Sequence, residues 1–341
     1  MVMKMQPLKK NLRIAYFPFE NDGNRYTDNF KKILSGFGDI AEAPPLKRIL
    51  GSIVQRRFDI LILNWSDNNF VNARTGRISP FGVVKEFVRI AIYNVISRRT
   101  IFVRHNVYPH SAVGKSRDLA GRIIALYEKC FDLCWVHSGH LAEDNRFYVP
   151  HPLYEVDDAV AASVAQLRLP SRYFVIFGRL LSYKNIDRLL EILPPDMHVV
   201  VCGSCPDPDY LQRLQSLAGP NVTLIAEFIS DELARELIVR SAGMVICHAD
   251  DDMIVSGSII YSISLGVPVF AIETPFIAWF RETVNDNMVV AAGDFHDLVM
   301  HMRQHRFDIS ASDVAVTQGH FSDQSVHSHV AMTFERLGLT Q

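Results

Sequence analysis

The chain has 341 residues, of which 48% are hydrophobic and 21% are charged, and its formal net charge is −2. This composition excludes an intrinsically disordered chain, and the near-zero net charge gives no support for binding to nucleic acid. No window offers about 18 uninterrupted apolar residues, so we expect membrane contact to be peripheral at most. A chain of this length exceeds what one hydrophobic core usually organises, which predicts two domains.

The first residues and the cysteines favour a cytoplasmic protein. The chain begins with basic residues that lead directly into a strand pattern, without the apolar core and cleavage site of a secretory signal peptide. The five cysteines adjoin apolar residues in predicted strands or helices and form no even set, unlike a disulfide framework. We therefore expect a reducing compartment.

Short apolar runs that alternate with helical stretches predict buried parallel strands in both halves of the chain. In the first half the runs are LRIAYF, DILILNW, TIFVRH and LCWVHS, and six more follow at residues 173–178, 198–203, 222–227, 243–248, 267–272 and 288–293. This alternation is typical of α/β domains. Ligands bind beyond the carboxyl ends of such strands, so the residues that end each run are candidate site residues.

Two stretches of the first half, at residues 44–58 and 83–99, interleave apolar residues with Lys and Arg. Both patterns predict basic amphipathic helices. Such helices can dock on an anionic inner membrane surface, which would suit an enzyme that acts on a lipid-linked substrate. The alternative is that the apolar faces join the domain core and the basic faces are solvated.

Prolines and small or acidic residues interrupt the alternation between about residues 150 and 170, and we place the domain boundary there. Residues 1–155 then form one domain and residues 156–322 a second. The polar stretch at residues 307–325 predicts a loop. Apolar spacing within residues 323–341 predicts a terminal helix, and its packing against the first domain is left open.

A strand followed by two cations marks the beginning of the second domain. The strand YFVIFG ends at Gly178, Arg179 follows directly, and Lys184 precedes a helix with apolar spacing. Gly178 permits close approach to the backbone, while Arg179 and Lys184 can neutralise a diphosphate whose charge grows as it leaves. An ordinary turn with solvated charges is the alternative interpretation.

The segment FGRLLSYKNIDRLLEIL, at residues 177–193, resembles the donor-domain signature of GT-B glycosyltransferases. A strand ending at Gly203 and segments at residues 221–248 and 256–271 follow in the family's order, so the resemblance covers the whole second half. It implies an α/β fold of two Rossmann-like domains facing each other across a cleft. The N-terminal domain would bind the acceptor and the C-terminal domain the nucleotide sugar.

The resemblance also implies which strand ends bind the donor. Glu227 and Phe228 would line the nucleobase pocket, although Phe228 is equally compatible with a core position. His248 and Asp252 are candidates for contacts with sugar or ribose hydroxyls. The neighbours of Asp252 are also acidic, but consecutive carboxylates cannot all converge on one ion, and GT-B enzymes usually need no metal. We expect no metal and no cofactor besides the donor.

The run SGSIIYSISLG opens a predicted helix, and Ser256, Gly257 and Ser258 at its start are candidate diphosphate ligands. Simple N-capping by Ser256 is the alternative, and it is compatible with phosphate binding. Retaining members of the family carry two glutamates in this region. Those positions fall near Met253 and on Tyr261, so the pair is absent and an inverting reaction is favoured, with Tyr261 on the donor side.

An inverting transfer needs one base to remove the proton of the acceptor hydroxyl as its oxygen attacks the anomeric carbon. Asp22, Asp67 and His105 follow the first three predicted strands and are the candidates. His105 has two further interpretations, contact with the donor sugar and a purely structural role. The choice among the three residues stays open.

The absent glutamate pair, together with VRHNVYPH and VPHPLY, resembles bacterial β-mannosyltransferases of xanthan- and acetan-type exopolysaccharide synthesis. This implies GDP-mannose as the donor, a lipid-linked oligosaccharide as the acceptor and a position at the inner face of the cytoplasmic membrane. Alternatives are a retaining hexosyltransferase that uses a UDP-sugar, a sugar-nucleotide epimerase, and a non-catalytic protein that binds nucleotide sugars.

Overall fold

The computed structural model describes residues 11–21, 25–46, 57–156, 164–249, 253–304 and 309–339. The chain forms two compact units: the first comprises Met1–Pro152 and Phe321–Gln341, and the second comprises Leu153–His320. Each unit contains a six-stranded parallel sheet. Within the described residues, no helix is both long and apolar enough to cross a membrane.

The first unit is a three-layer α/β domain. Its sheet has the strand order β2-β1-β3-β4-β5-β6. The strands are β1 Leu12–Phe17, β2 Gly38–Glu42, β3 Phe58–Asn64, β4 Ser97–Arg104, β5 Leu133–Val136 and β6 Arg146–Tyr148. The helices are α1 Tyr26–Leu34, α2 Pro80–Ile96, α3 Lys115–Glu128 and, from the end of the chain, α11 Asp323–Arg336.

Alternating side chains of the strands fill two cores on opposite faces of this sheet. In β3, Ile60 and Ile62 pack with α1 and α11, whereas Leu61 and Leu63 pack with α2 and α3. Because both faces are covered by helices, the central strands are apolar on both sides. The terminal helix α11 therefore belongs to the core of the first unit.

The second unit repeats this architecture with the strand order β12-β11-β10-β7-β8-β9. The strands are β7 Phe174–Phe177, β8 Val199–Cys202, β9 Val222–Ile225, β10 Met244–Ile246, β11 Val269–Ile272 and β12 Val289–Ala292. The helices are α4 Ile186–Ile192, α5 Pro208–Leu217, α6 Asp231–Val239, α7 Gly257–Ser264, α8 Pro275–Thr283, α9 Phe295–Gln304 and α10 Ala311–Phe321. Helices α4, α5 and α9 share one core with the sheet.

All ten strands predicted from apolar runs are present, most of them shorter than predicted. Two strands were missed, β2 with the sequence GDIAE and β6 with the sequence RFY. Both lie at the edges of the first sheet, where a strand has one neighbour and is less buried. Neither carries the apolar run on which the other predictions depended.

The helix predicted at residues 83–99 has different ends. It begins at Pro80, capped by Ser79, and β4 already begins at Ser97. Ser97 pairs with Phe58 of β3, so the sheet ladder replaces the helix there. The other basic helix was predicted at residues 44–58. Its residues 47–56 lie outside the described residues, and its last residue, Phe58, belongs to β3.

The prediction of a loop at residues 307–325 is wrong, because α10 and the beginning of α11 occupy most of this stretch. Some of its polar side chains make specific contacts within the protein. Thr317 is buried, Gln318 donates to the Ile263 carbonyl at 3.0 Å, and Ser322 caps α11. Composition alone did not reveal these tertiary partners.

Candidate functional site

The strand order of the second unit reverses between β7 and β10. Strands β8 and β9 lie on one side of β7, whereas β10, β11 and β12 lie on the other. Loops that leave adjacent strands in opposite directions create a crevice at the carboxyl edge, where open parallel sheets bind ligands. The loop after β7 carries Gly178, Arg179 and Lys184, and α7 follows β10.

The side chains of Lys184 and Ser258 meet at the backbone of Gly178. Gly178 has a φ of 111°, and a β-carbon placed on it would lie 3.1 Å from Ser258 Oγ and 3.3 Å from Lys184 Nζ. Gly203, after β8, has a φ of 136°, and any side chain on it would collide with the Gly178 carbonyl. Four predicted donor residues are thus brought to one place by a backbone conformation that favours glycine.

Lys184 is a half-buried cation. Within the described part of the chain, neither Lys184 nor the exposed Arg179 forms an ion pair. Desolvation lowers the pKa of Lys184 to about 8; Cys247 opposes this shift and Arg179 adds to it. Removing an ammonium group from water costs free energy unless an anion lies beside it. The surroundings of Lys184 therefore favour a negatively charged ligand.

Helix α7 begins beside this cation with a cap that leaves amide groups to a ligand. Ser256 Oγ accepts a hydrogen bond from the Ile259 amide at 3.4 Å, and the Ser258 hydroxyl donates to the Phe177 carbonyl at 2.9 Å. The Ser258 hydroxyl proton is therefore used within the unit. An anion at this helix end would meet the backbone amides of Gly257 and Ser258 instead.

Four other predicted donor residues lie at different depths around this edge. Glu227 and Phe228 follow β9, two strands from β7, and Phe228 is 78% exposed, which contradicts a core position. His248 is buried after β10. The ring of Tyr261, in α7, lies 5.3 Å from that of Phe177, next to Gly178. The contacts therefore join Tyr261 to the lysine site, while Glu227 and Phe228 stand apart from it.

In the first unit the corresponding reversal lies between β1 and β3, and Asn64 connects the strand ends there. Asn64 is the buried last residue of β3. Its Nδ2 donates to the Phe17 carbonyl of β1 at 3.1 Å, and its Oδ1 lies 3.0 Å from His105 Nε2, directly after β4. One amide group thus joins three adjacent strand ends at the edge where a ligand is expected.

His105 is buried among aromatic rings at this edge. Its imidazole stacks on Trp65 with a centroid distance of 4.2 Å and meets Tyr26 edge-on at 5.0 Å. Desolvation lowers the pKa of His105 well below its usual range, and the neighbouring His137 and His151 act in the same direction. His105 is therefore neutral at physiological pH, so it can accept a proton.

Two residues that were not predicted from the sequence, His137 and Tyr26, complete this histidine cluster. Nδ1 of His137 lies 2.7 Å from the Val149 carbonyl, and its Nε2 lies 2.8 Å from the Tyr26 hydroxyl. Desolvation lowers the pKa of His137 to about 4 and that of His151 to about 3. A signal was present, because His137 lies near the end of the run LCWVHS, much as His105 lies at the end of the run TIFVRH.

Asp67 is sealed inside the first unit. It is 1% exposed, and neither carboxyl oxygen has a hydrogen-bonding partner outside its own residue in the described chain. Desolvation raises the pKa of Asp67 to about 7, although Arg104 opposes the shift. The carboxyl group presents no oxygen to a substrate in this arrangement. The other two predicted acids, Asp22 and Asp252, lie outside the described residues.

Asp67→Asn is expected to stabilise the protein at pH 8. The folded-state pKa of about 7 exceeds the unfolded value of about 3.9. Stability is therefore lost as pH rises from about 4 to 7, because the unfolded chain ionises and the folded chain does not. The gain at pH 8 is up to about 4 kcal/mol and disappears near pH 4.

Urea unfolding at the two pH values measures this difference, with Asp39→Asn as the matched control because Asp39 is exposed. The control should change stability by less than about 0.5 kcal/mol. A less stable Asp67→Asn protein at pH 8 would contradict the burial argument.

No protein-family model and no curated protein sequence matches the chain. Solved structures do match it. HepE of Anabaena, in complex with UDP and glucose, is 13% identical with a TM-score of 0.64, and the match covers 96% of this chain and 100% of HepE. Sucrose-phosphate synthase of Thermosynechococcus elongatus is 13% identical with a TM-score of 0.60, over 94% of this chain and 80% of that one.

AviGT4, a glycosyltransferase involved in avilamycin A biosynthesis, is also 13% identical, with a TM-score of 0.56 over 96% of this chain and 98% of AviGT4. Similarity at this level of identity concerns the fold. The expected fold class is confirmed: the chain has the two-domain α/β fold of the GT-B glycosyltransferases.

Proposed function

We propose that this protein is a glycosyltransferase that transfers a hexose from a nucleoside diphosphate sugar. The observation that carries the proposal is the half-buried, unpaired Lys184 ammonium beside Gly178 and the beginning of α7. A desolvated cation and free helix amides at a topological switch point form a site for a diphosphate. The solved structures of similar fold support a nucleotide-sugar ligand, since HepE was solved in complex with UDP-glucose.

The diphosphate would bind between two sources of positive charge. They are the half-buried Lys184 and the exposed Arg179. The backbone amides of Gly257 and Ser258 would donate to the phosphate oxygens. As the bond to the sugar breaks, negative charge grows on the diphosphate, and these groups would stabilise it without a metal.

The rest of the donor would extend from this point along the carboxyl edge of the sheet. We assign the nucleobase to the loop with Glu227 and Phe228, because an exposed aromatic ring offers a stacking surface. His248, Asp252 and Tyr261 are assigned to the ribose and sugar side.

His105 is the base that the described residues support best for an inverting transfer. The hydroxyl of the acceptor would lose its proton to a neutral imidazole while its oxygen attacks the anomeric carbon. The bond from that carbon to the diphosphate oxygen breaks, and its electron pair leaves with the nucleoside diphosphate. Asp67 is less suitable because both of its oxygens are buried. Asp22 stays a candidate outside the described residues.

Two donors are supported by different observations. The resemblance to xanthan-type enzymes supports GDP-mannose and inversion, in keeping with the residues near Met253 and at Tyr261 that replace the glutamate pair. The bound UDP and UDP-glucose of HepE support a UDP-hexose, including the retaining alternative. Exopolysaccharide synthesis with a lipid-linked oligosaccharide as the acceptor belongs to the first proposal.

The outer surface of α2 supports the proposal of a lipid-linked acceptor at an anionic membrane. Helix α2 buries one side in the core but exposes Phe81 by 81%, Val84 by 62% and Val88 by 48%, with Lys85 beside them. Exposed apolar residues also occur on the neighbouring α3, where the basic Arg122 is exposed. Apolar side chains flanked by cations suit peripheral contact with anionic lipid.

Lys184→Ala and Arg179→Ala are each expected to weaken nucleoside diphosphate binding at least about tenfold, because a charge-assisted bond to phosphate contributes about 1.5–3 kcal/mol. Isothermal titration calorimetry with GDP and UDP measures the loss. Arg240→Ala is the control, since this exposed arginine pairs with Glu236 away from the site. Unchanged affinity in the Lys184→Ala protein would refute the diphosphate assignment.

A thermal-shift panel of GDP, UDP, dTDP and CMP sugars should identify one donor base. A ligand at about 100 times its Kd stabilises the folded state by about 2.7 kcal/mol, which is readily measured. Stabilisation by GDP-mannose alone would support the mannosyltransferase proposal. Stabilisation by UDP-sugars alone would exclude it in favour of the UDP-hexose alternative. If no sugar nucleotide in the panel raised the melting temperature, both proposals would be excluded.

The double variant Phe81→Ser with Val88→Ser should bind vesicles of anionic phospholipid at least about tenfold more weakly, because two apolar contacts with the bilayer are lost. Flotation with phosphatidylglycerol vesicles measures binding, and neutral phosphatidylcholine vesicles should bind poorly. Val316→Ser alters an exposed valine of the second unit and serves as the control. Equal binding of all three proteins would contradict the membrane surface.

A further inference from the structure

We infer that Asn64 is a positioning residue for His105: its side-chain amide fixes the imidazole tautomer, so that the unprotonated Nδ1 is the atom that accepts the proton. The inference rests on the proposed function for its role in transfer. The hydrogen-bond pattern from which it is drawn is independent of any reaction.

The direction of each hydrogen bond at Asn64 follows from its neighbours. The Phe17 carbonyl can only accept, so the amide nitrogen of Asn64 must face it, at 3.1 Å. The amide oxygen of Asn64 must then face His105 Nε2, at 3.0 Å. An amide oxygen can only accept, so Nε2 of His105 must carry the proton. In a neutral imidazole the lone pair is then on Nδ1.

The same ring is held in orientation by its aromatic neighbours. Trp65 lies parallel to the imidazole with an interplanar angle of 17°, while Tyr26 is nearly perpendicular at 86°. These contacts restrict rotation of the ring, and the hydrogen bond to Asn64 occupies Nε2. Within the described residues, Nδ1 of His105 makes no hydrogen bond to the protein.

The surroundings keep His105 neutral. Among the described residues, the titratable groups that face it or its amide partner are His137 and His151, which follow β5 and β6, Tyr26 from α1 and Tyr16 from β1. None of these groups is a carboxylate that would favour the imidazolium, and desolvation lowers the pKa of His105 further. An amide partner, unlike a carboxylate, fixes the tautomer without adding negative charge that would raise the pKa.

In the transfer step Asn64 would therefore act only through His105. The O–H bond of the acceptor breaks as a new N–H bond forms at Nδ1, and the imidazole becomes a cation. Its Nε2–H stays bonded to the Asn64 oxygen, which stabilises the positive charge as it forms. The proton returns to solvent after the nucleoside diphosphate leaves.

The tautomer is measured directly in the wild-type protein by two-dimensional NMR of ¹⁵N-labelled histidine, with the His105 signals assigned by their loss in His105→Gln. We expect one Nε2–H tautomer that persists unprotonated from pH 8 to below pH 6.5. An Nδ1–H tautomer, or a mixture of the two, would overturn the inference whether or not the protein is a glycosyltransferase.

The role in transfer is tested with Asn64→Asp and Asn64→Ala. A carboxylate beside Nε2 should raise the pKa of His105 and move the acid limb of kcat/KM upward by about one pH unit or more. Asn64→Ala should lower kcat about tenfold or more and leave donor affinity in calorimetry unchanged, because the diphosphate site belongs to the second unit.

Asn68→Asp is the matched control, because it adds the same charge four residues away on an exposed side chain. Its pH profile should be that of wild type. Folded Asn64 variants with wild-type pH profile and kcat would overturn the positioning role. If the Nε2–H tautomer is found but His105→Gln retains transfer, the base assignment fails, whereas the hydrogen-bond assignment stands.

Discussion

Removal of polar groups from water at the carboxyl ends of parallel strands is the constraint on which both candidate sites depend. A parallel sheet places strand ends from distant parts of the chain side by side, and helices on both faces exclude water beneath them. Lys184 loses part of its hydration and therefore requires an anion. Desolvation holds His105 in the neutral form, which is the form of imidazole with a nitrogen lone pair that can take up a proton. Loss of hydration therefore favours the binding of an anion beside Lys184 and an uncharged side chain at His105.

The two units use this constraint with different residues. In the second unit, Gly178 and Gly203 allow the backbone of neighbouring strand ends to touch, which leaves room for an ammonium group and a helix end around a ligand. In the first unit, Asn64 spans three strand ends with one amide, and aromatic rings fill the surrounding space. The site in the second unit has a cation and accessible backbone groups. The site in the first unit has a neutral, hydrogen-bonded imidazole. That division matches the needs of a transfer reaction, in which one substrate carries the negative charge and the other loses a proton.

Much of the fold was predictable from the sequence, because a strand covered on both faces must be apolar throughout. All ten apolar runs form strands, and the cation turn at Gly178 lies at the reversal of its sheet. The edge strands β2 and β6 were missed because partial burial leaves no such run. The loop predicted before α11 failed for a related reason: its polar residues are satisfied by partners such as the Ile263 carbonyl, which are distant in sequence.

The sequence by itself determined the α/β class, the positions of the buried strands and the candidate residues at their ends, since periodicity and glycine spacing are local properties of the chain. Only the tertiary structure decided which of these residues share a site and in what state of protonation. Asp67 and His105 look alike in sequence, each close after a strand. Asp67 is enclosed and its carboxyl oxygens have no hydrogen-bonding partner among the other described residues, whereas His105 is hydrogen-bonded to Asn64. The reason is that desolvation and hydrogen bonding depend on neighbours brought together by folding, and Asn64 and His105 are 41 residues apart.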